Sequence, residues 1–200
     1  MTVDRGITMD YYVITIGREY GSGGGLIGKK LADELGIPFY DKEIISLAAQ
    51  QSGLAESIIE QNENKKTNSL LYSLYMTNME LPVTDQIFLA QSQVIKDVAK
   101  QGPCVIVGRC ADYILRDNSR CIRVFIHAPL EERVKRLGER LEWSDKKLEA
   151  VVKKEDKNRS SYYNHFTQNR WGQASNYHLC INSSIGVDKA VAAILALVKD

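Results

Sequence analysis

At 200 residues, 44% of them hydrophobic and 26% charged, the chain has the length of one domain and enough apolar content for one core. Its 26 basic and 25 acidic residues leave a formal net charge of +1, so no global field would hold it on nucleic acid or an anionic membrane, and any anion binding has to be local. The four cysteines, Cys104, Cys110, Cys121 and Cys180, show no CxxC spacing, and histidine occurs three times; a structural metal site is not expected, whereas small buried or half-buried thiols in a reducing cytoplasm are.

Residues 1–10 are polar and read as a tail, with 11–200 as a single domain. Tyr11 to Ile16 is a short β-branched apolar run ending in glycines, the pattern of a buried first strand. Ile27, Leu31 and Leu35 then recur every four residues, with Leu26 beside Ile27 on the expected core face, and Gly36 ends this amphipathic helix. Pro38 to Tyr40 is a short extended piece, and Asp41 follows as a candidate cap for a helix from Lys42. The pattern weakens from Leu54 to Asn78, and residues 54–83 read as a helical insertion. Ile87, Phe88, Val94, Ile95 and Val98 outline a longer helix. Cys104 to Val107 and Ile122 to Ile126 are further buried strands, the first delivering Gly108-Arg109 at its carboxyl end. Leu130, Val134, Leu137 and Leu141 form a helical stripe, Asp145 to Arg159 a charged helix, Tyr177 to Ile181 a strand, and Val187, Val191, Ile194 and Val198 a terminal helix.

Helices alternating with continuously apolar strands specify an α/β fold, a parallel sheet covered by helices on both faces. In such sheets ligands bind outside the carboxyl ends of the strands, where Gly21 to Gly25, Asp41 and Arg109 would gather.

The turn Gly21-Ser22-Gly23-Gly24-Gly25, between a strand and a helix, has the context of a phosphate loop: residues without Cβ let backbone N–H groups converge on a phosphate, and the helix adds the positive end of its dipole. The usual loop, GxxxxGK followed by Ser or Thr, also supplies a lysine to the β and γ phosphates and a hydroxyl to magnesium. A literal GxxxxGK occurs from Gly23 to Lys29, but it is followed by Lys30 and would put Leu26 and Ile27 in the loop. The register that ends the strand at Ile16 wraps Arg18 to Gly24 around the phosphate, with Gly24 at the lysine position and Leu26 near the hydroxyl position. Arg18 is then a candidate for restoring the missing charge, and pairing with Glu19 on the surface is the alternative.

The stretches ITIGREYGSGGGLIGKKLADELGIPFYDKEII, VIVGRCADYIL, IHAPLEERVKRL, KKEDKNRSSYYNHFT and WGQASNYHLCINSS together resemble the cytidylate kinase-like family in order and spacing. The resemblance implies a three-layer nucleoside monophosphate kinase fold with an acceptor-binding insertion, about 54–83, and an arginine-bearing lid, about 141–172. It implies ATP with substrate-bound magnesium as donor, held by Gly21, Ser22, Gly23, Gly24 and Gly25, with Arg133 and Arg136 at the lid's entrance; Arg18 joins the phosphate-binding candidates from its place at the mouth of the loop. It implies an acceptor monophosphate, CMP or dCMP, held by Asp41, Arg109, Asp156 and Arg159, with Arg109 and Arg159 also acting in transfer. Nucleotides are the partners so implied; the oligomeric state is left open.

Two departures bear on that reading. Cys110 follows Arg109 where the family has an aspartate, with Asp112 as a substitute, and Leu47 lies near where an acceptor arginine belongs. With the lysine and hydroxyl also missing, a non-catalytic nucleotide-binding module and a kinase for another small acceptor stand as alternatives. The aromatic group Tyr162, Tyr163, Phe166, Trp171 and Tyr177 reads as packing beneath a loop, with base stacking as the alternative; His127, His165 and His178 show no catalytic pattern.

Overall fold

The computed structural model of the chain describes residues 12–62, 81–139, 141 and 143–198. Five strands, β1 (Val13–Arg18), β2 (Phe39–Tyr40), β3 (Cys104–Val107), β4 (Cys121–His127) and β5 (Leu179–Asn182), form one sheet in the order β2-β3-β1-β4-β5. Every pairing is parallel, with Val13 of the central strand level with both Cys104 and Cys121.

The apolar runs are continuous because helices cover both faces. Val13, Cys104, Ile106 and Cys121 pack against Ile44, Ala48, Ile95 and Val98 of α2 (Glu43–Ser52) and α4 (Val83–Gln101). Their neighbours Ile14, Ile16, Val105, Val107, Val124 and Ile126 turn to the opposite face and meet Ile27 and Leu31 of α1 (Gly24–Leu35) and Val191 and Ile194 of α8 (Val187–Leu195). Side chains alternate along a strand, so a strand buried on both faces loses the polar half of its pattern.

Several boundaries differ from the sequence expectation. β1 begins at Val13 and runs on to Arg18, which carries the chain two residues further toward the glycine turn. Leu26 is 55% exposed while Ile27 is fully buried: at 3.6 residues per turn, Leu26 sits one step off the stripe that Ile27 and Leu31 share. Asp41 does not cap α2, whose N-cap is Lys42 with no side-chain hydrogen bond; its carboxylate is held by two guanidinium groups, a stronger interaction than a single exposed N–H. Of the insertion, residues 56–62 form α3 (Glu56–Asn62), while 63–80 and the tail lie outside the described residues. Cys104, Cys110 and Cys121 are buried free thiols, and burial raises Cys104 to about 12 and Cys121 to about 11, so both stay protonated. Cys180, expected to be buried or half-buried, is exposed; it lies on β5, the edge strand.

α6 (Leu130–Gly138) and α7 (Asp145–Thr167) pack on each other through Val134, Leu137, Leu148 and Val152, with Tyr20 of the glycine turn against the same cluster. The charged helix therefore continues eight residues past Arg159, taking in Tyr162, Tyr163 and Phe166. Leu148 is fully buried, so Leu148→Ala is expected to lower stability by about 2–5 kcal/mol. Chemical denaturation would give that value; a loss below about 0.5 kcal/mol would mean that α6 and α7 do not share a close-packed core.

Candidate functional site: a glycine turn beside an arginine pocket

The turn between β1 and α1 holds Gly21 and Gly23 at φ 77° and 80°, left-handed values that glycine adopts without strain. α1 starts at Gly24, with Gly23 as N-cap and neither a capping side chain nor an acidic residue in its first turn. Its N-terminal N–H groups and dipole therefore meet no carboxylate of that turn, the arrangement that suits an anion. This is the register with Gly24 at the lysine position. Lys29 of the literal motif lies inside α1 and pairs with Asp33 at 2.6 Å on the surface. The Ser22 hydroxyl donates to the Glu19 carbonyl at 2.8 Å, as does its N–H at 3.3 Å. Ser22 thus closes the turn, and its own carbonyl accepts from Ser183 Oγ at 2.6 Å.

Arg18 takes neither of the two courses expected of it. Glu19 pairs instead with Arg133 at 3.5 Å and accepts from the Ala128 N–H at 3.1 Å. The Arg18 side chain crosses the carboxyl edge of the sheet to Asp41 at 3.6 Å, where Arg109 also binds, at 3.1 Å. Asp41 Oδ2 in turn lies 4.0 Å from where a Gly25 Cβ would stand, so this cluster sits beside the start of α1.

Arg109 follows β3 in a stretch where Gly108, Arg109 and Cys110 have φ of 79°, 51° and 56°. Two consecutive non-glycine residues in the left-handed region carry a cost that packing must offset. The result is a sharp turn into the short helix α5 (Ala111–Ile114), which puts Arg109, Cys110 and Asp112 on one side of a cleft. Gly17, Arg18, Arg159, Tyr162, Tyr163, Trp171 and Tyr177 complete its lining. The sequence-derived residues Arg18, Arg109, Asp112 and Arg159 thus come together. The aromatic group packs, with Phe88 stacked on Phe166 at 4.3 Å and Phe125 against Tyr177 at 4.9 Å, and four of its rings also line the cleft. Composition alone cannot separate the two functions, because one ring can pack with one face and line a cavity with the other.

Asp156 is not part of that lining. Its carboxylate accepts from the Tyr20 N–H at 2.7 Å and pairs with Arg133, which also donates to the Tyr20 carbonyl at 3.2 Å. Arg159, one turn on, donates to the Arg18 carbonyl at 3.2 Å, and its guanidinium lies 5.1 Å from the Tyr20 ring centre. Arg136 Nη1 donates to the Gly21 carbonyl at 2.8 Å. α6 and α7 are therefore tied to the backbone of the glycine turn at Arg18, Tyr20 and Gly21.

Burial lowers the Arg159 pKa, and Asp156 and Glu155 oppose that. Burial raises the carboxyl of Asp112, which accepts from the Tyr163 hydroxyl at 2.7 Å; it also raises Tyr163 and Tyr177, each then lifted further by the Asp112 charge. A carboxyl whose folded value lies above its unfolded one favours folding below the ordinary carboxylate range, and that contribution is lost as pH rises through the raised value. The melting temperature of the wild-type chain minus that of Asp112→Asn should accordingly fall as pH is raised from 4 upward. A difference that is flat or rises with pH would contradict the raised value.

The sequence matches the cytidylate kinase-like family over residues 13–185. No curated protein matches it. Among solved structures, an uncharacterized protein from Eubacterium ventriosum is 31% identical, with a TM-score of 0.72 over 94% of this chain and 99% of that one. A gluconokinase from Sinorhizobium meliloti (13% identity, TM-score 0.55, 94% of each chain) and a shikimate kinase from Acinetobacter baumannii in complex with shikimate (16%, 0.54, 94% of this chain and 93% of that one) are alike in fold. Sheet order, glycine turn and sequence match agree, and the chain belongs to the cytidylate kinase-like family, with the fold of the P-loop kinases.

Proposed function

We propose that the chain transfers the γ-phosphoryl group of ATP to a nucleoside monophosphate, with CMP or dCMP favoured by family resemblance. The observation that carries this reading is the juxtaposition of the anion-ready turn Gly21 to Gly25 with a cleft lined by Arg18, Arg109 and Arg159. A donor phosphate on the turn would face an acceptor phosphate held by planar guanidinium forks, which match phosphate oxygens and stay charged at working pH.

In the proposed step an acceptor phosphate oxygen attacks the γ-phosphorus. The bond to the β–γ bridging oxygen breaks, and ADP leaves with that electron pair. A phosphate acceptor brings no proton to be removed, so the protein's task is positioning and charge neutralisation. Among the described residues no group of three or more His, Cys, Asp or Glu could hold a metal ion. Magnesium would come as an ion carried by the donor phosphates, where it would neutralise developing charge, and Asp41 is the carboxylate of the cleft edge that faces α1. Asp112 with Tyr163 offers an acceptor and donor pair to a base, while Asp156, engaged by Tyr20 and Arg133, would act on the turn instead. The ties from α6 and α7 suit a lid that excludes water from the transfer. Free thiols support a cytoplasmic setting, and no helix among the described residues is long and apolar enough to cross a membrane.

Gly24 and Leu26, in place of lysine and hydroxyl, favour a second reading: a nucleotide-binding module without turnover. Purified protein with ATP, magnesium and a panel of monophosphates separates the two. The kinase reading expects a diphosphate product, and Arg109→Ala is expected to lower kcat/KM on the order of 10²-fold. Nucleotide binding by calorimetry with no product from any monophosphate would overturn it in favour of the module.

A further inference from the structure

The proposed donor loop has the backbone of a phosphate cradle and no lysine. Its geometry explains why none can be accommodated: a Cβ on residue 24 would stand 2.6 Å from the Cβ of Arg18 and 3.0 Å from its Cγ. Any side chain at position 24, lysine included, collides with the part of Arg18 nearest the backbone, which has no freedom to move aside. Arg18 cannot stand in, because its guanidinium passes Gly108, where a Cβ would lie 1.8 Å from Nη1, and ends at Asp41.

A second arginine does reach the loop. Arg136, in the last turn of α6, sets its guanidinium over Gly23, with Cζ and Nη1 each 3.5 Å and Nε 3.6 Å from where a Gly23 Cβ would stand. Its Nη1 is anchored on the Gly21 carbonyl at 2.8 Å. The other arginines here are turned elsewhere: Arg133 pairs with Glu19 and Asp156, Arg18 and Arg109 share Asp41, and Arg159 donates to the Arg18 carbonyl and lines the cleft. Among the described residues no carboxylate lies within the 4.0 Å ion-pair distance of Arg136, which is half-buried against the turn.

We propose that Arg136 replaces the loop lysine: the positive charge for the terminal phosphates of the donor is delivered from α6, across the turn, at the residue just before the position that Arg18 keeps vacant. The inference rests on the nucleotide-binding reading above. It separates the arginines by task, with Arg136 serving the donor and Arg18 the acceptor cleft, and it makes donor charge depend on the packing of α6 against the turn. A charge placed on the β and γ phosphates discriminates by phosphate number, a property that a merely structural contact would not have.

Calorimetry of ATP, ADP and AMP with the full chain tests this without requiring turnover. Arg136→Gln removes the charge and, ending two atoms short of Nη1, also gives up the bond to Gly21; it should weaken ATP binding roughly 10- to 100-fold, as expected for loss of a charged hydrogen-bond donor. AMP binding should change by less than about threefold, and Arg136→Lys should recover most of the ATP affinity. Arg18→Gln should leave ATP affinity within about threefold and raise the acceptor KM instead. Thermal unfolding confirms that each variant is folded. Equal ATP affinity in wild type and Arg136→Gln, or an equal loss for AMP and ATP, overturns the inference and leaves the kinase reading standing. Failure of the wild-type chain to bind any nucleotide overturns both.

Discussion

The path of one side chain sets the geometry of the whole edge of the sheet. Arg18 leaves the end of the central strand and runs between two glycines, Gly24 at the start of α1 and Gly108 at the end of β3, to a carboxylate at the end of β2. A Cβ at either glycine would fall inside the space that Arg18 occupies, at 2.6 Å and 1.8 Å. The glycine turn, the left-handed turn after β3 and the position of Asp41 are therefore mutually dependent. Three parallel strands can present their carboxyl ends to one ligand only if their connections stay out of the way, and the two glycines provide that clearance.

From this constraint follows a division of charge. Asp41 binds Arg18 and Arg109 together, so the two guanidinium groups approach each other only because a carboxylate lies between them. On the far side of the turn the arrangement is reversed, with Arg133 between the two carboxylates of Glu19 and Asp156. The net charge of +1 for the chain conceals a cluster of five arginines within one edge of the sheet, offset there only in part by Asp41, Glu19 and Asp156. In the proposed reading, the two halves of this cluster serve donor and acceptor, and a small domain with no overall field still holds polyanions.

Much of the fold was legible in the sequence for a simple reason. Strands buried on both faces and helices with one apolar stripe are local patterns, and Val13 to Ile16, Cys104 to Val107 and Ile27 to Leu31 carry them plainly. The register of the glycine turn was also readable, because helical spacing placed Ile27 in the core. What could not be read was the partner of each charge. Arg18 lies next to Glu19 in sequence, yet a β-strand directs adjacent side chains to opposite faces, and the partner of Arg18 comes from 23 residues away. Asp156 and Arg159 do share a helix face, as their spacing implies, but the face meets the backbone of Tyr20 and Arg18. The aromatic residues at 162, 163, 171 and 177 are visible as a group, and only the tertiary packing shows that they line the cleft.

The central claim is that the glycine turn and the arginine cleft are two halves of one transfer site. The measurement that bears on it most directly is a crystal structure with a bisubstrate analogue, adenosine joined to cytidine through five phosphates. The claim predicts one bound molecule, its polyphosphate crossing from the backbone of Gly21 to Gly25 to the guanidinium groups of Arg109 and Arg159, with the cytidine against Tyr162 and Tyr163. A molecule anchored at the turn whose other end lies in solvent, with the cleft unoccupied, would contradict it.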